Sequence, residues 1–188
     1  MAAQATADSL ADRRFMQAAL ALAGRGLGNV WPNPAVGCVI VKDGAVVGRG
    51  WTQPGGRPHA ETEALARAGD AARGSTAYVS LEPCSHHGQT PPCADALIAA
   101  GVARVVAAMV DPDERVSGQG LTRLKDAGIA VESGLLADEA VQLNRGFLNR
   151  ITLGRPMVTL KLAATLDGRI ATQSHATRQS PAAQTARA

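Results

Sequence analysis

The sequence predicts a three-layer α/β/α sandwich built on a mixed sheet of about five strands, and three observations predict it. Short apolar runs of strand length alternate along the chain with longer segments whose apolar residues recur at helical spacing. The first two runs are joined by Asp43-Gly44, a strong hairpin signal, so the sheet opens antiparallel before the strand–helix alternation begins. Hydrophobic residues make up 46% of the chain but aromatic ones only 3%, which calls for a core of Ala, Val, Leu and Ile packed between a sheet and helices.

The elements follow in order. Residues 1–9 are small and polar and are expected to be disordered. Ser9 is then a suitable cap for a helix with Leu10, Phe15, Ala19, Leu22 and Ala23 on one face, ended by Gly24. A turn-rich loop over 24–33 leads into a buried strand over 35–42 (AVGCVIVK), and its hairpin partner is expected over 45–51. The Pro- and Gly-rich loop 53–58 delivers His59 to the start of a helix patterned by Ala60, Ala64, Leu65 and Ala68. A strand over 75–81, a loop over 82–92, a helix over 93–100 and a strand over 104–110 come next. Helix, strand and helix are then expected at about 119–127, 129–132 and 138–150. At 151–156 the composition shifts to a short linker. Residues 157–162 read as one more strand with Asp167-Gly168 as a turn, and from 171 onward the chain is small, polar and aperiodic. The expected organisation is therefore 1–9 as a disordered start, 10–150 as the domain, and 151–188 as a linker with the beginning of a second domain.

Composition excludes several roles. The net charge of +3 is scattered, with almost no aromatics between the basic residues, which argues against a nucleic-acid partner. No stretch approaches the roughly 18 apolar residues that span a bilayer, and the first residues lack a signal-peptide centre, so no membrane partner and a cytoplasmic location are expected. Three cysteines, an odd number, argue against a disulfide framework. Cys38 lies mid-strand among Val36, Val39 and Ile40 and reads as a small core residue. The glycines of 24–29 read as a helix stop and turn rather than a phosphate cradle, because no strand precedes them.

His59, Cys84 and Cys93 carry the chemistry. His59-Ala60-Glu61 precedes Pro83-Cys84, and Cys84 and Cys93 bracket the eight residues SHHGQTPP. A catalytic zinc takes three protein ligands and keeps a fourth position open, and one neutral imidazole with two thiolates is such a set. One Zn2+ per chain is therefore expected on His59, Cys84 and Cys93. The open position makes hydroxide near neutral pH. His59 and Cys93 fall at helix N-termini, where the dipole favours thiolate. Glu61 lies too far round the helix to share the ion but near enough to move protons beside it, which is general acid–base work. This order of residues is that of zinc-dependent base deaminases, with eight residues instead of two between the cysteines. A structural zinc with His86 or His87 as fourth ligand stays open, although it would leave Glu61 without a role.

The segments Met16 to Ala23, NPAVGCVIV (33–41), GRPHAETEAL (56–65), YVSLEPCSHHGQTPPCADALI (78–98), the DP…VSGQGL region (111–121) and LNRGFLNR (143–150) resemble the deaminase domain of the bifunctional riboflavin-biosynthesis deaminase/reductase family. The resemblance covers nearly all of 10–150. It implies a cytidine-deaminase-like sandwich and the hydrolytic loss of an amino group from a phosphoribosylamino-bearing diaminopyrimidine, giving the corresponding uracil and ammonia. It further implies zinc on His59, Cys84 and Cys93, proton transfer by Glu61, and substrate contacts from Asn33 and His86. Asn33 suits that role because an amide both donates and accepts along a pyrimidine edge, although an Asn-Pro pair is also an ordinary turn. The chain departs from the family in having Gln89 where a phosphate-facing cation is usual, and Asp113-Glu114 where Asn-Pro is usual; Arg115 offers a compensating charge.

Residues 156–171 resemble the first strand of the family's reductase domain, whose cofactor in full-length relatives is NADPH. The resemblance places Ala163 near that nucleotide, and Lys161 and Asp167 near substrate. With only this orphan strand of the second domain in the sequence, no reductase activity is expected. The expected partner is a small phosphorylated pyrimidine, and the exposed start of a second domain favours a homo-oligomer. A deaminase of another base or nucleoside and a non-catalytic assembly subunit stand as alternatives.

Overall fold

The computed structural model describes residues 2–86, 88, 90–113, 117–166 and 168–170, with side chains from residue 10 onward. The chain divides into two compact units, Met1–Met157 and Val158–Ala188.

The first unit opens with α1 (Ala2–Ala23), followed by the hairpin β1 (Gly37–Lys42) and β2 (Ala45–Trp51). Then come α2 (Ala60–Ala68), β3 (Thr76–Val79), α3 (Cys93–Ala99), β4 (Arg104–Ala107), α4 (Gln119–Asp126), β5 (Ala130–Ser133) and α5 (Ala137–Leu153). The helix expected to begin at Ser9 thus starts at Ala2, and Ser9 lies within it. The five strands form one sheet in the order β2-β1-β3-β4-β5. β1 runs antiparallel to β2 and β3, whereas β3, β4 and β5 run parallel. The sheet is mixed, as the hairpin followed by crossover helices requires.

Alternation along the strands divides the core. Cys38, Ile40, Ala77, Val79 and Val105 face a cluster completed by Ala60, Ala64, Leu97 and Leu124 from α2, α3 and α4. Val39, Val41, Tyr78 and Val106 face the other cluster with Met16, Ala19 and Ala140 from α1 and α5. Cys38 is fully buried in the first of these clusters, as its mid-strand position implies.

Small residues set how closely the helices approach. A Cβ on Gly48 would lie 2.2 Å from the Ala64 carbonyl oxygen, and one on Gly50 would lie 2.4 Å from that of Ala60. α2 therefore rests directly on β2, and its first turn is held at the sheet's end. On the opposite layer, a Cβ on Gly37 would lie 1.9 Å from the Ala19 carbonyl oxygen of α1.

In the second unit, none of the described residues forms a strand, and Val158, Leu160 and Leu162 are exposed. The strand expected over 157–162 is not formed, because an isolated segment has no neighbour to take its backbone hydrogen bonds. A turn closes through Thr165 N–H to the Arg169 carbonyl (2.9 Å) and Gly168 N–H to the Thr165 carbonyl (2.9 Å). Asp167 lies outside the described residues.

Candidate active site and metal centre

Three chain segments converge at the end of β3 and β4. His59 is the residue before α2, extended at φ −73°, ψ 160°. Cys84 leaves the end of β3 after Glu82 and Pro83, and Cys93 opens α3 behind Pro92. The Cys93 N–H donates to the Cys84 sulfur (3.2 Å), and the Ala94 N–H to the Cys84 carbonyl (3.1 Å), so Cys84 caps the helix that carries Cys93.

The His59 Nδ1 lies 3.3 Å from the Cys93 Sγ and 3.7 Å from the Cys84 Sγ. All three ligand atoms lie within 4.8 Å of one another. A tetrahedral zinc with bonds of about 2.1 Å to nitrogen and 2.3 Å to sulfur separates its ligands by roughly 3.6–3.8 Å, so the donor set fits that ion. Among the described residues no further His, Cys or carboxylate joins this group; His86 stands outside it, and His87 lies outside the described residues.

The electrostatics of the three donors favour a cation. A hydrogen bond from Cys93 brings the Cys84 thiol down to about 4, against burial and with help from His59. The Cys93 thiol is pushed up by that same bond and by burial. The hydrogen bond with Cys84 in turn raises the His59 imidazole, against burial. A divalent ion between the two sulfurs favours the ionised form of both.

Glu61 is 3% exposed, and its carboxyl lies against Cys93. Burial, reinforced by the charge on Cys84, pushes it up to about 7, where a carboxyl can both hold and release a proton near neutral pH.

A cavity of about 250 Å³ ends on these groups, and its wall includes Asn33, Arg57, His59, Glu61, Cys84 and His86. The Asn33 Nδ2 donates to the Gly56 carbonyl (2.8 Å) and stands 3.4 Å from the His59 Nε2. Glycine at 56 is required: its φ is +86°, and a Cβ there would meet the Asn33 amide at 2.7 Å. His86 is exposed at the rim. Gln89, Glu114 and Arg115 lie outside the described residues. Asp113 lines the cavity beside Asp111, whose Oδ1 accepts the Asp113 N–H (2.9 Å). Lys161 and Ala163 are exposed in the second unit.

Two supports of the site are absent from the sequence reading. Glu82, 4% exposed, accepts the backbone N–H groups of Asp111 (3.1 Å), Gly118 (2.9 Å), Gly120 (2.8 Å) and Leu121 (3.4 Å). Asn144, 3% exposed on α5, both donates to the Ala35 carbonyl and accepts its N–H at 2.9 Å. A polar residue between Ala140 and Leu148 on an otherwise apolar stripe is the signal that could have found Asn144. Arg57 and Arg150 also line the cavity.

Residues 10–109 match the cytidine and deoxycytidylate deaminase zinc-binding region. Riboflavin biosynthesis protein RibD of Escherichia coli is 61% identical over 163 residues, 87% of this chain and 44% of that protein. A diaminohydroxyphosphoribosylamino-pyrimidine deaminase of Buchnera aphidicola is 49% identical over 142 residues, 76% of this chain and 97% of that protein. Among solved structures, Acinetobacter baumannii RibD superposes with a TM-score of 0.83 at 51% identity, covering 91% of this chain and 48% of that one. The chain spans less than half the length of the RibD proteins it matches. On the extent of these matches, the chain belongs to the zinc-dependent cytidine and deoxycytidylate deaminase family and, within it, to the riboflavin-biosynthesis deaminases.

Proposed function

We propose that the chain hydrolyses the amino group of 2,5-diamino-6-(5-phosphoribosylamino)pyrimidin-4-one, giving 5-amino-6-(5-phosphoribosylamino)uracil and ammonia, in the cytosol. One observation carries the reading: a buried carboxyl, Glu61, lines one cavity with His59 and Cys84, whose ligand atoms converge with that of Cys93 to within 4.8 Å of one another. In this reading those three residues hold one zinc ion. Zinc held there supplies Lewis-acid chemistry that brings the ionisation of water towards neutral pH.

The chain's own residues do the rest. Glu61 takes a proton from the attacking water and passes it to the ring nitrogen as the C–O bond forms; it then takes the remaining proton of the added hydroxyl and delivers it to the amine, as the carbonyl forms and the C–N bond breaks. Overall, water is consumed and ammonia leaves, with Glu61 returned to its starting state. Asn33, held by the Gly56 carbonyl, orients the pyrimidine edge. His86 contacts substrate at the rim.

Ammonia release and the accompanying absorbance change on the authentic substrate test the proposal. The wild type is expected to turn over with one zinc per chain, to lose activity on chelation and to regain it with zinc. Glu61→Gln keeps its zinc and loses about 10²–10⁴-fold in kcat. A folded, zinc-loaded wild type that leaves the substrate unchanged would falsify the assignment.

A further inference from the structure

The cavity that ends on Glu61 is also lined by two guanidinium groups, those of Arg57 and Arg150. Arg57 is half-buried, yet it makes no hydrogen bond or ion pair with any described residue. It lies beside the loop between the two cysteines: a Cβ built on Gly88 would stand 3.6 Å from its Nη2. By contrast, Arg67, Arg104 and Arg123 each hold a carboxylate.

Arg150 is fixed differently. Its Nη2 donates to the Pro32 carbonyl (2.8 Å), and its guanidinium lies 4.8 Å from the Trp31 ring centre and 5.3 Å from that of Phe147. That packing orients the plane while occupying one of its five donors. Two carboxylates of the cavity wall are engaged with backbone: Glu82 is taken up by four N–H groups, and Asp111 accepts from the Asp113 N–H.

A half-buried guanidinium that meets no carboxylate among the described residues, in the wall of a reaction cavity, is arranged to receive an anion from solution. We propose that Arg57, supported by Arg150, binds the phosphate monoester of the substrate and thereby sets the preference for a phosphorylated over an unphosphorylated pyrimidine. The inference rests on the deaminase reading above. Neither arginine touches the reacting carbon or nitrogen in this proposal; their contribution is to binding, and it appears in KM.

The test compares wild type and Arg57→Gln on the phosphorylated substrate and on the corresponding riboside without phosphate, with inorganic phosphate as a probe. Loss of a charge-assisted contact is expected to raise KM for the phosphorylated substrate by about 10- to 100-fold while kcat stays within about threefold. The riboside's kcat/KM should change by less than about threefold. Inorganic phosphate should inhibit the wild type competitively and bind Arg57→Gln about tenfold more weakly by calorimetry. An unchanged KM with unchanged phosphate binding overturns the proposal, as does an equal loss on both substrates. A wild type that releases ammonia from neither substrate defeats the deaminase reading, whereas the calorimetric comparison still decides whether Arg57 is an anion anchor.

Discussion

Replacing Glu82 by Gln removes a charge and changes one atom, yet a large loss of stability is expected. The Glu82 Oε2 accepts from Asp111 and Gly118, and the Oε1 from Gly120 and Leu121. An amide keeps one acceptor oxygen but turns an NH2 group toward two backbone donors. Two charge-assisted bonds at about 1.5–3 kcal/mol each are lost, and the remaining oxygen no longer carries charge to complement the start of α4. We expect a destabilisation of about 3–5 kcal/mol, which for a domain of this size is a fall in Tm of roughly 6–20 °C. Thermal and urea unfolding measure it, with the midpoint falling and the m-value unchanged. Because Pro83 and Cys84 follow directly, zinc should also leave Glu82→Gln faster in a chelator competition. A Tm within about 2 °C of the wild type would refute the claim that this carboxylate organises the loop.

Two further outcomes follow from packing and charge. Gly37→Ala places a Cβ 1.9 Å from the Ala19 carbonyl oxygen and 2.7 Å from the Ala23 nitrogen, so it should cost about 3 kcal/mol in urea unfolding. Gly24→Ala, which meets nothing within 4 Å, should stay within about 1 kcal/mol of the wild type. Asp12 receives two hydrogen bonds from Arg104 at 2.9 and 2.6 Å, and these hold its carboxyl below the usual carboxylate range despite partial burial. A carboxyl depressed in the folded state stabilises above its unfolded pKa of about 4 and loses that contribution as the pH falls through the folded value. Asp12→Asn should therefore be less stable than the wild type at pH 7, with the gap closing below about pH 4; a gap that is constant with pH would count against the assignment.

The three-layer order was legible because each layer leaves a separate trace. Alternation in β1 assigns Cys38 and Ile40 to one face and Val39 and Val41 to the other, and Asp43-Gly44 fixes the hairpin. The candidate metal donors were legible because their residue types are scarce: there are four histidines and three cysteines in the chain, and three of these seven residues meet within 4.8 Å. The expected strand over 157–162 failed because β-propensity needs a neighbouring strand, and composition does not show whether one is present. Glu82 and Asn144 were illegible for a related reason. Their partners are backbone groups far along the chain, and an N–H or carbonyl has no residue type to read.

That difference bears on how the site is held. The donors stand on short segments whose side chains alone would leave them free to spread, since Cys84 lies in a loop and His59 precedes its helix without a side-chain cap. Rigidity comes from the peptide groups around them. Glycines at 48 and 50 let α2 rest on β2 and bring Glu61 to the sheet's end, Cys84 takes the first N–H of α3, and Glu82 takes four N–H groups of the 111–121 segment. With aromatic residues at 3% of the chain, few large side chains are available to wedge these loops in place. Backbone hydrogen bonding to buried carboxylate and thiolate therefore does that work. It follows that substitutions at glycine and at Glu82 should disturb the metal centre as much as substitutions in the aliphatic core disturb the sheet.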